Sequence, residues 1–255
     1  MADYLEMVET ALDGVLPKAD ERPYALSSAM RWAVEGGGKR LRPQICLAAA
    51  VAVGGRAEDA LMPACAIELL HSYTLVHDDL PCMDGDRERR GKASVWAKFG
   101  EANGVLAGDA LQALAFSVAA RAPRNVSAIV AELGRRGVGV VQGQVEDVDG
   151  RPVSAVDFIY EHKTADLFMA AACMGALAGG GAEAQVERLR VFGHHLGLAF
   201  QYEDDLLDGD SPFSREETTC RVRNHTAASI AALEGLPGDC AFLSSLAKRL
   251  VGRTA

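Results

Sequence analysis

Apolar residues recur along most of the chain at steps of three and four, which is the spacing of one face of a helix. Ala, Leu, Glu and Arg dominate, and alternating β-branched and aromatic residues are rare. The pattern therefore predicts an all-α fold, with a single domain over residues 1–255. The predicted helices cover 24–35, 42–53, 59–80, 101–121, 125–147, 154–178, 183–208, 225–234 and 240–251.

One stretch leaves the type of element open. The Val-rich run from Val138 to Val148 fits a strand as well as a helix, and Gly139 and Gly143 weaken both interpretations. Helix is the interpretation adopted for this run. Breaks between helices are predicted at Gly36-Gly37-Gly38, Pro81, Ala122-Pro123, Gly150-Arg151-Pro152 and Gly179-Gly180-Gly181.

Two predicted helices carry apolar stripes that end in carboxylates. Because a buried carboxylate is costly unless a cation or hydrogen bonds satisfy it, these stripes point to a charged partner. The stripe in 183–208 consists of Val186, Leu189, Gly193, Leu196, Phe200, Asp204 and Asp208. The stripe in 59–80 consists of Ile67, His71, Thr74 and Asp78.

The acids at the stripe ends form two clusters, 78–84 and 204–208. Pro81 disfavours helix at Leu80, so a turn there could return Asp84 to the side of Asp78. In the second cluster Asp204 and Asp208 lie one helical turn apart and can hold one ion. Two solvated helix ends are the alternative, but two clusters that both end apolar stripes favour a site. Oxygen ligands without His or Cys favour Mg²⁺, which shares its coordination with phosphates.

Net charge and basic clusters point to a phosphate ligand rather than nucleic acid. The net charge is -9 and the pI about 5.2, whereas nucleic-acid binders usually carry a basic face. The run GGGKRLRP at 36–43 and the run RERRGK at 87–92 place cations beside glycines. The first run lacks the full nucleotide-binding loop pattern, and a solvated turn is the alternative for the second. Both together favour an anion site.

The remaining composition favours a cytoplasmic protein. Six cysteines occur without CxxC spacing, so reduced core thiols are expected rather than a zinc site or disulfides. The first ten residues lack the basic and apolar regions of a signal peptide. No apolar stretch reaches membrane-spanning length, so no integral membrane segment is expected.

Taken together, the motifs resemble those of the trans-prenyl diphosphate synthases, the farnesyl and geranylgeranyl diphosphate synthase family. The resemblance extends from about Tyr24 to Asp208. It rests on GGGKRLRP (36–43), LLHSYTLVHDDLPCMD (69–84), RRGK (89–92), LAGDALQALAF (106–116), HKT (162–164) and FQYEDDLLD (200–208).

The resemblance implies a helical bundle around a deep central cavity, usually a homodimer, that uses Mg²⁺ to join isopentenyl diphosphate to an allylic diphosphate. It also implies roles for individual residues. Lys39, Arg42, His71 and Arg90 would hold isopentenyl diphosphate, and Arg89 the allylic diphosphate. Asp78, Asp84 and Asp204 would be the main magnesium ligands, supported by Asp79, Asp205 and Asp208. Lys163, Thr164 and Gln201 would line the reacting carbons and the leaving group.

Product length is expected to depend on the helix before Asp78. Thr74 lies one turn before Asp78, and Tyr73 lies five residues before it, a rise of ~7.5 Å. That depth suits a floor for the tail, and the resemblance to bacterial farnesyl synthases, which carry an aromatic residue at this position, implies the C15 product farnesyl diphosphate. The alternative product is the C20 geranylgeranyl diphosphate. Tyr73 could also be a core aromatic residue that has no influence on product length.

Two other functions remain open. After Asp208 the family normally has lysines aimed at the allylic diphosphate, but this chain has none between Lys163 and Lys248. Arg is not equivalent to Lys at such a site, so a catalytically weak regulatory subunit is one alternative. Intact acid clusters favour an enzyme. A terpene cyclase is the other alternative, but it would not need GGGKRLRP or RRGK.

Overall fold

The computed structural model describes residues 3–148, 150 and 153–250, and over these the regular secondary structure is helical apart from one two-stranded hairpin. The all-α prediction is thereby confirmed. The helices are α1 (Tyr4–Val15), α2 (Tyr24–Val34), α3 (Leu41–Ala52), α4 (Leu61–Asp78), α5 (Val95–Phe99), α6 (Glu101–Ala119), α7 (Val126–Val148), α8 (Val156–Ile159), α9 (Asp166–Ala178), α10 (Glu183–Asp208), α11 (Arg215–Ala232) and α12 (Ala241–Leu250). The hairpin pairs β1 (Glu88–Arg89) with β2 (Lys92–Ala93) in antiparallel fashion. Short 3₁₀ turns cover Ala57–Ala60 and Val153–Ala155, and a π-helical segment covers Tyr160–Ala165.

Three helices differ from the prediction, which missed α1 and the short α5 and began α11 too late. Helix α1 was missed, although the Asp3 side chain caps it by accepting from the backbone nitrogens of Leu5 and Glu6. Helix α11 begins ten residues before the predicted 225–234, capped by Ser214. Its buried face consists largely of hydroxyl-bearing residues, which apolar periodicity does not detect. The buried residues of α11 are Thr218, Val222, Thr226 and Ser229.

The ambiguous Val-rich run is helical, within α7. The helix predicted over 154–178 is instead divided into a turn, α8, the π-helical segment and α9. Of the predicted break at 150–152, Arg151 and Pro152 lie outside the described residues.

Helix α9 lies at the centre of the molecule. All of its residues except Leu177 are buried, and it packs against α3, α4, α7 and α10. Its Ala-, Gly- and Met-rich sequence lets these neighbours approach closely. Since α4 and α10 both flank α9 and both end in acid clusters, the core positions the candidate site. None of the helices in the described part of the chain is long and apolar enough to span a bilayer.

Candidate active site

The first acid cluster forms a tight turn at the end of α4. The backbone nitrogen of Asp84 donates to the carbonyl oxygen of Asp78 over 2.9 Å, and Gly85 donates to Leu80 over 3.0 Å. The predicted return of Asp84 to the side of Asp78 is therefore confirmed. Burial raises the pKa of Asp78 to about 6, against the opposing charge of Lys163.

Asp79, the next residue, is buried and only 2% exposed. It accepts hydrogen bonds from Arg89, from Nε over 2.9 Å and from Nη2 over 2.5 Å. Arg89 also pairs with Asp86 over 3.0 Å. Burial raises the pKa of Asp79 although the hydrogen bonds from Arg89 oppose this. The roles predicted for Asp79 at magnesium and for Arg89 at the allylic diphosphate stay predictions.

The second acid cluster ends α10, and its three aspartates differ in exposure. Asp205 is buried, Asp204 is half-buried and Asp208 is exposed. Asp205 accepts from Gln201 Nε2 over 2.8 Å and from the hydroxyl of Tyr160. The apolar stripe thus leads to the cluster as predicted, while the magnesium roles of its acids stay predictions.

Three of the predicted residues are joined in one hydrogen-bond network. The Thr164 hydroxyl donates to Gln201 Oε1 over 2.6 Å, and Gln201 in turn donates to Asp205. The network links the π-helical segment to α10. Tyr160, which completes it, was not predicted, because only the three-dimensional fold brings it to Asp205.

Lys163 is presented by the π-helical segment, a type of irregularity that frequently occurs at functional sites. Its Nζ pairs with Asp147 Oδ2 of α7 over 2.5 Å. Asp147 was also missed by sequence reasoning, although the acidic end of α7 was visible in the sequence. The pair holds Lys163 near enough to Asp78 for its charge to act on that carboxylate.

The predicted binding residues for isopentenyl diphosphate line one cavity of about 640 Å³. Arg42 Nη1 lies 3.3 Å from His71 Nε2, and the Arg42 guanidinium lies 4.7 Å from the centre of the Phe168 ring. Burial lowers the pKa of Arg42 to about 10. Burial, together with Arg42 and Arg90, lowers the pKa of His71 well below 6.5, so this imidazole is neutral. The cavity is lined by Lys39, Arg42, His71, Arg89, Arg90 and Phe200, among others.

The two basic loops are tied together and carry backbone strain. Arg40 and Arg90 both have left-handed backbone conformations, with φ of 46° and 56°. Arg90 donates through Nη1 to the carbonyl oxygen of Gly37. Arg40 is buried and pairs with Glu9 and Glu68, each over 2.8 Å. Arg40 therefore anchors the first loop to α1 and α4, a role that the sequence did not indicate.

A second pocket, of about 320 Å³, lies between α4 and α7. Both residues predicted to set product length line it, and the Tyr73 ring packs edge-on against His77 with ring centres 5.1 Å apart. Burial raises the pKa of the Tyr73 phenol. The pocket is lined by Tyr73, Thr74, His77, Asp78, Met83, Val140, Val141, Gln144, Val145 and Val148.

The residues of the first acid cluster suit magnesium. Among the described residues, no three Asp, Glu, His or Cys side chains converge into a complete metal site. Asp78 is nevertheless a partly buried carboxylate beside Asp84, and a cation would offset the cost of its burial. Carboxylate oxygens are the donors that Mg²⁺ prefers, with waters and phosphate oxygens completing its coordination. The donor set therefore fits a magnesium ion shared with a diphosphate.

Prenyl synthases are among the known proteins that resemble this chain in sequence and fold. The polyprenyl synthetase family model matches residues 23–220. A heterodimeric geranylgeranyl pyrophosphate synthase large subunit 1, chloroplastic, of Arabidopsis thaliana is 43% identical over 80% of this chain and 58% of its own length. A chloroplastic geranylgeranyl pyrophosphate synthase of Capsicum annuum is 44% identical over 74% of this chain and 54% of its own length.

Similarity in structure extends further along the chain. The crystal structure of an FPP/GFPP synthase from Zymomonas mobilis superposes with a TM-score of 0.90 at 31% identity, covering 98% of this chain and 97% of that one. The all-α fold and the acid clusters that end α4 and α10 define a protein of the trans-prenyl synthase class. The chain belongs to the polyprenyl synthetase family.

The comparisons revise one expectation and leave others as predictions. The curated relatives are named for geranylgeranyl products, so they support the C20 alternative rather than the C15 product. The chain spans 58% and 54% of the length of these two relatives. Both are chloroplastic, and one is a heterodimeric subunit by name. The predicted cytoplasmic location, homodimer and magnesium dependence therefore remain predictions.

Proposed function

We propose that the chain is a short-chain prenyl transferase that condenses isopentenyl diphosphate with an allylic diphosphate to give geranylgeranyl diphosphate. The observation that carries this proposal is that α4 serves two pockets. His71 and Leu75 line the cationic cavity, while Thr74 and Asp78 line the apolar pocket. One helix thus borders both a place for an anion and a place for a hydrocarbon tail.

In this proposal the cationic cavity binds isopentenyl diphosphate. Lys39, Arg42 and Arg90 offset the charge of its diphosphate through charge-assisted hydrogen bonds. The neutral imidazole of His71, held beside Arg42, adds a hydrogen bond without a further charge. Fixing the diphosphate in this way positions the double bond for attack on the allylic carbon.

The allylic diphosphate lies between the acid clusters, with its tail in the apolar pocket. Asp78, Asp84 and Asp204 would hold magnesium, which when bound neutralises charge on the leaving diphosphate. Asp79, Asp205 and Asp208 would support these ligands. Arg89 and Lys163 add positive charge at the leaving group, and Thr164 and Gln201 line the reacting carbons. The released diphosphate is the proton acceptor implied by the family resemblance, so no side-chain base is required.

A C20 product is supported by the names of the relatives and by the shape of the tail pocket. The pocket continues along α7 to Val140 and Val141 and is not confined to the surroundings of Asp78.

We further propose that the chain forms one domain and a homodimer in the cytoplasm. Light scattering coupled to size-exclusion chromatography measures the oligomeric state, and the single-domain proposal predicts one cooperative unfolding transition.

The function is tested by incubating purified protein with Mg²⁺, dimethylallyl diphosphate and isopentenyl diphosphate and sizing the product by mass spectrometry. We expect a C20 product and its loss when the metal is chelated. Asp78→Ala and Asp204→Ala should abolish turnover while the fold survives, and Asp210→Ala, at an exposed position nearby, serves as the control. A C15 product would restore the farnesyl alternative. No product from folded protein would contradict the proposal and favour the regulatory subunit.

A further inference from the structure

Gln144 is a buried side chain with an unused hydrogen-bond donor. It lies on α7 and is 7% exposed. Its Nε2 atom has no hydrogen-bond partner among the residues that the structure describes. Because burial without a partner is costly for an amide, such a donor points to a ligand acceptor.

The position of Gln144 limits what that acceptor can be. It lines the pocket between α4 and α7 together with Val140, one turn before it, and Asp78 from α4. Three residues after Gln144, about 4.5 Å along the helix, Asp147 holds Lys163. Gln144 therefore lies where the apolar lining meets the charged groups.

Only one end of an allylic substrate offers an acceptor at that junction. The hydrocarbon tail has none, and the residues that line the cavity with Lys39 and Arg42 do not include Gln144. The allylic diphosphate carries oxygens at the level of Asp78 in the proposed binding mode. A neutral amide donor suits this place, since it binds the oxygen and adds no charge that would compete with magnesium for Asp78.

We infer that Gln144 is a further substrate-binding residue, whose Nε2 donates a hydrogen bond to an oxygen of the allylic diphosphate and fixes how far the tail enters the pocket. This inference rests on the proposed function. The other α7 residues that line this pocket are valines, so Gln144 would provide the polar contact from that helix.

The test compares variants of Gln144 with a matched control on the same helix. Gln144→Leu removes the donor, and Gln144→Glu keeps the size but places an anion beside the diphosphate. Gln142→Leu makes the same chemical change at an exposed position two residues away. The probe is dimethylallyl S-thiolodiphosphate, an unreactive analogue, with Mg²⁺ in isothermal titration calorimetry.

We expect Gln144→Leu to weaken binding of the analogue by about tenfold or more, the scale of a hydrogen bond to a charged group. Gln144→Glu should weaken it at least as much. Gln142→Leu should bind like the wild type, and the affinity of each variant for isopentenyl diphosphate should be unchanged. In turnover, the KM for the allylic substrate should rise while the KM for isopentenyl diphosphate does not.

Binding of the analogue by Gln144→Leu within about twofold of the wild type would overturn the inference. So would an equal loss of affinity for isopentenyl diphosphate, which would indicate a general disturbance. Should Gln144→Leu fail to fold, Gln144→Met takes its place, since it also removes the donor, adds no charge and keeps the length of the side chain. Because the titration needs no turnover, a wild type that binds the analogue but forms no product contradicts the proposed function and leaves the role of Gln144 intact.

Discussion

A Cβ atom on residue 143 would lie 2.5 Å from the backbone nitrogen of Lys163, so only the absence of a side chain at Gly143 lets the two segments meet. Gly143 lies on α7 and Lys163 on the π-helical segment. The same approach allows Asp147, one turn after Gly143, to hold the Lys163 ammonium. The glycine therefore positions a cation that the proposed reaction requires at the leaving group.

Gly143→Ala tests this positioning. The added methyl group must push the π-helical segment away, so we expect turnover to fall by about tenfold or more and stability by about 1–3 kcal/mol, the usual cost of overpacking. The control is Gly134→Ala on the same helix, where the Cβ would lie 3.5 Å from the Phe116 side chain, an ordinary contact. Steady-state kinetics and thermal unfolding measure both effects, and wild-type activity in Gly143→Ala would refute this role.

The same glycine shows where sequence reasoning stops. The apolar stripe towards Asp204 and the turn that returns Asp84 to Asp78 depend on local spacing and on Pro81, and both could be predicted. Gly143 weakened the helix prediction, because glycine is unfavourable inside a helix. The glycine is needed for a close contact with a segment twenty residues away, which local spacing does not reveal. The roles of Tyr160, Asp147 and Arg40 were missed for the same reason, since their partners are distant in sequence.

The carboxylate of Asp78 predicts an unusual dependence of stability on pH. Burial raises its pKa from 3.8 to about 6, so between about pH 4 and pH 6 the folded state binds more protons than the unfolded state. The free energy of unfolding contributed by this group therefore falls as the pH rises through that window. Replacing the Asp78 carboxylate with an uncharged group should therefore remove this loss of stability.

We expect Asp78→Asn, measured without metal, to be more stable than the wild type at pH 7.5 by about 1–2 kcal/mol, allowing for partial solvent exposure. That corresponds to a rise in Tm of roughly 2–4 °C per kcal/mol. At pH 4 the difference should vanish. Asp210→Asn, at an exposed position, should stay within about 0.5 kcal/mol of the wild type throughout. A pH-independent difference between Asp78→Asn and wild type would show that the charge is not responsible.

Arg42 should distinguish the two substrates. Arg42→Ala removes a guanidinium from the cationic cavity, together with its contacts to His71 and Phe168. We expect the KM for isopentenyl diphosphate to rise by about 10- to 100-fold, while that for the allylic substrate changes little. Arg42→Lys keeps the charge but loses the stacking of the planar guanidinium on Phe168. Its KM for isopentenyl diphosphate should therefore lie between those of the wild type and Arg42→Ala.

The control for Arg42 is Arg56→Ala, which removes an exposed arginine paired with the half-buried Asp59 across 3.5 Å. Its kinetics should match the wild type. Steady-state rates are measured with each substrate varied in turn while the other saturates. Equal increases in both KM values for Arg42→Ala would contradict the assignment of the cavity to isopentenyl diphosphate.

Tyr73 should limit product length, because its ring lines the tail pocket below Asp78 and is held there by His77. Tyr73→Ala removes the ring, so the pocket deepens and we expect the product to lengthen by one or more C5 units. Since the reacting groups are untouched, the rate of the first condensation should stay near that of the wild type. Stability should fall by about 3 kcal/mol from the cavity left behind.

Two matched variants show whether pocket volume is the cause. Tyr73→Phe keeps the ring and should keep the product length, with chain lengths measured by mass spectrometry. Thr74→Phe, at a position that lines the same pocket, adds volume and should shorten the product. If Tyr73→Ala stops at the wild-type length while Thr74→Phe shortens the product, the tail runs past Thr74 and another residue forms its floor. If neither variant changes the length, the pocket between α4 and α7 does not hold the tail, because no volume change along its α4 wall would then be felt by the growing chain.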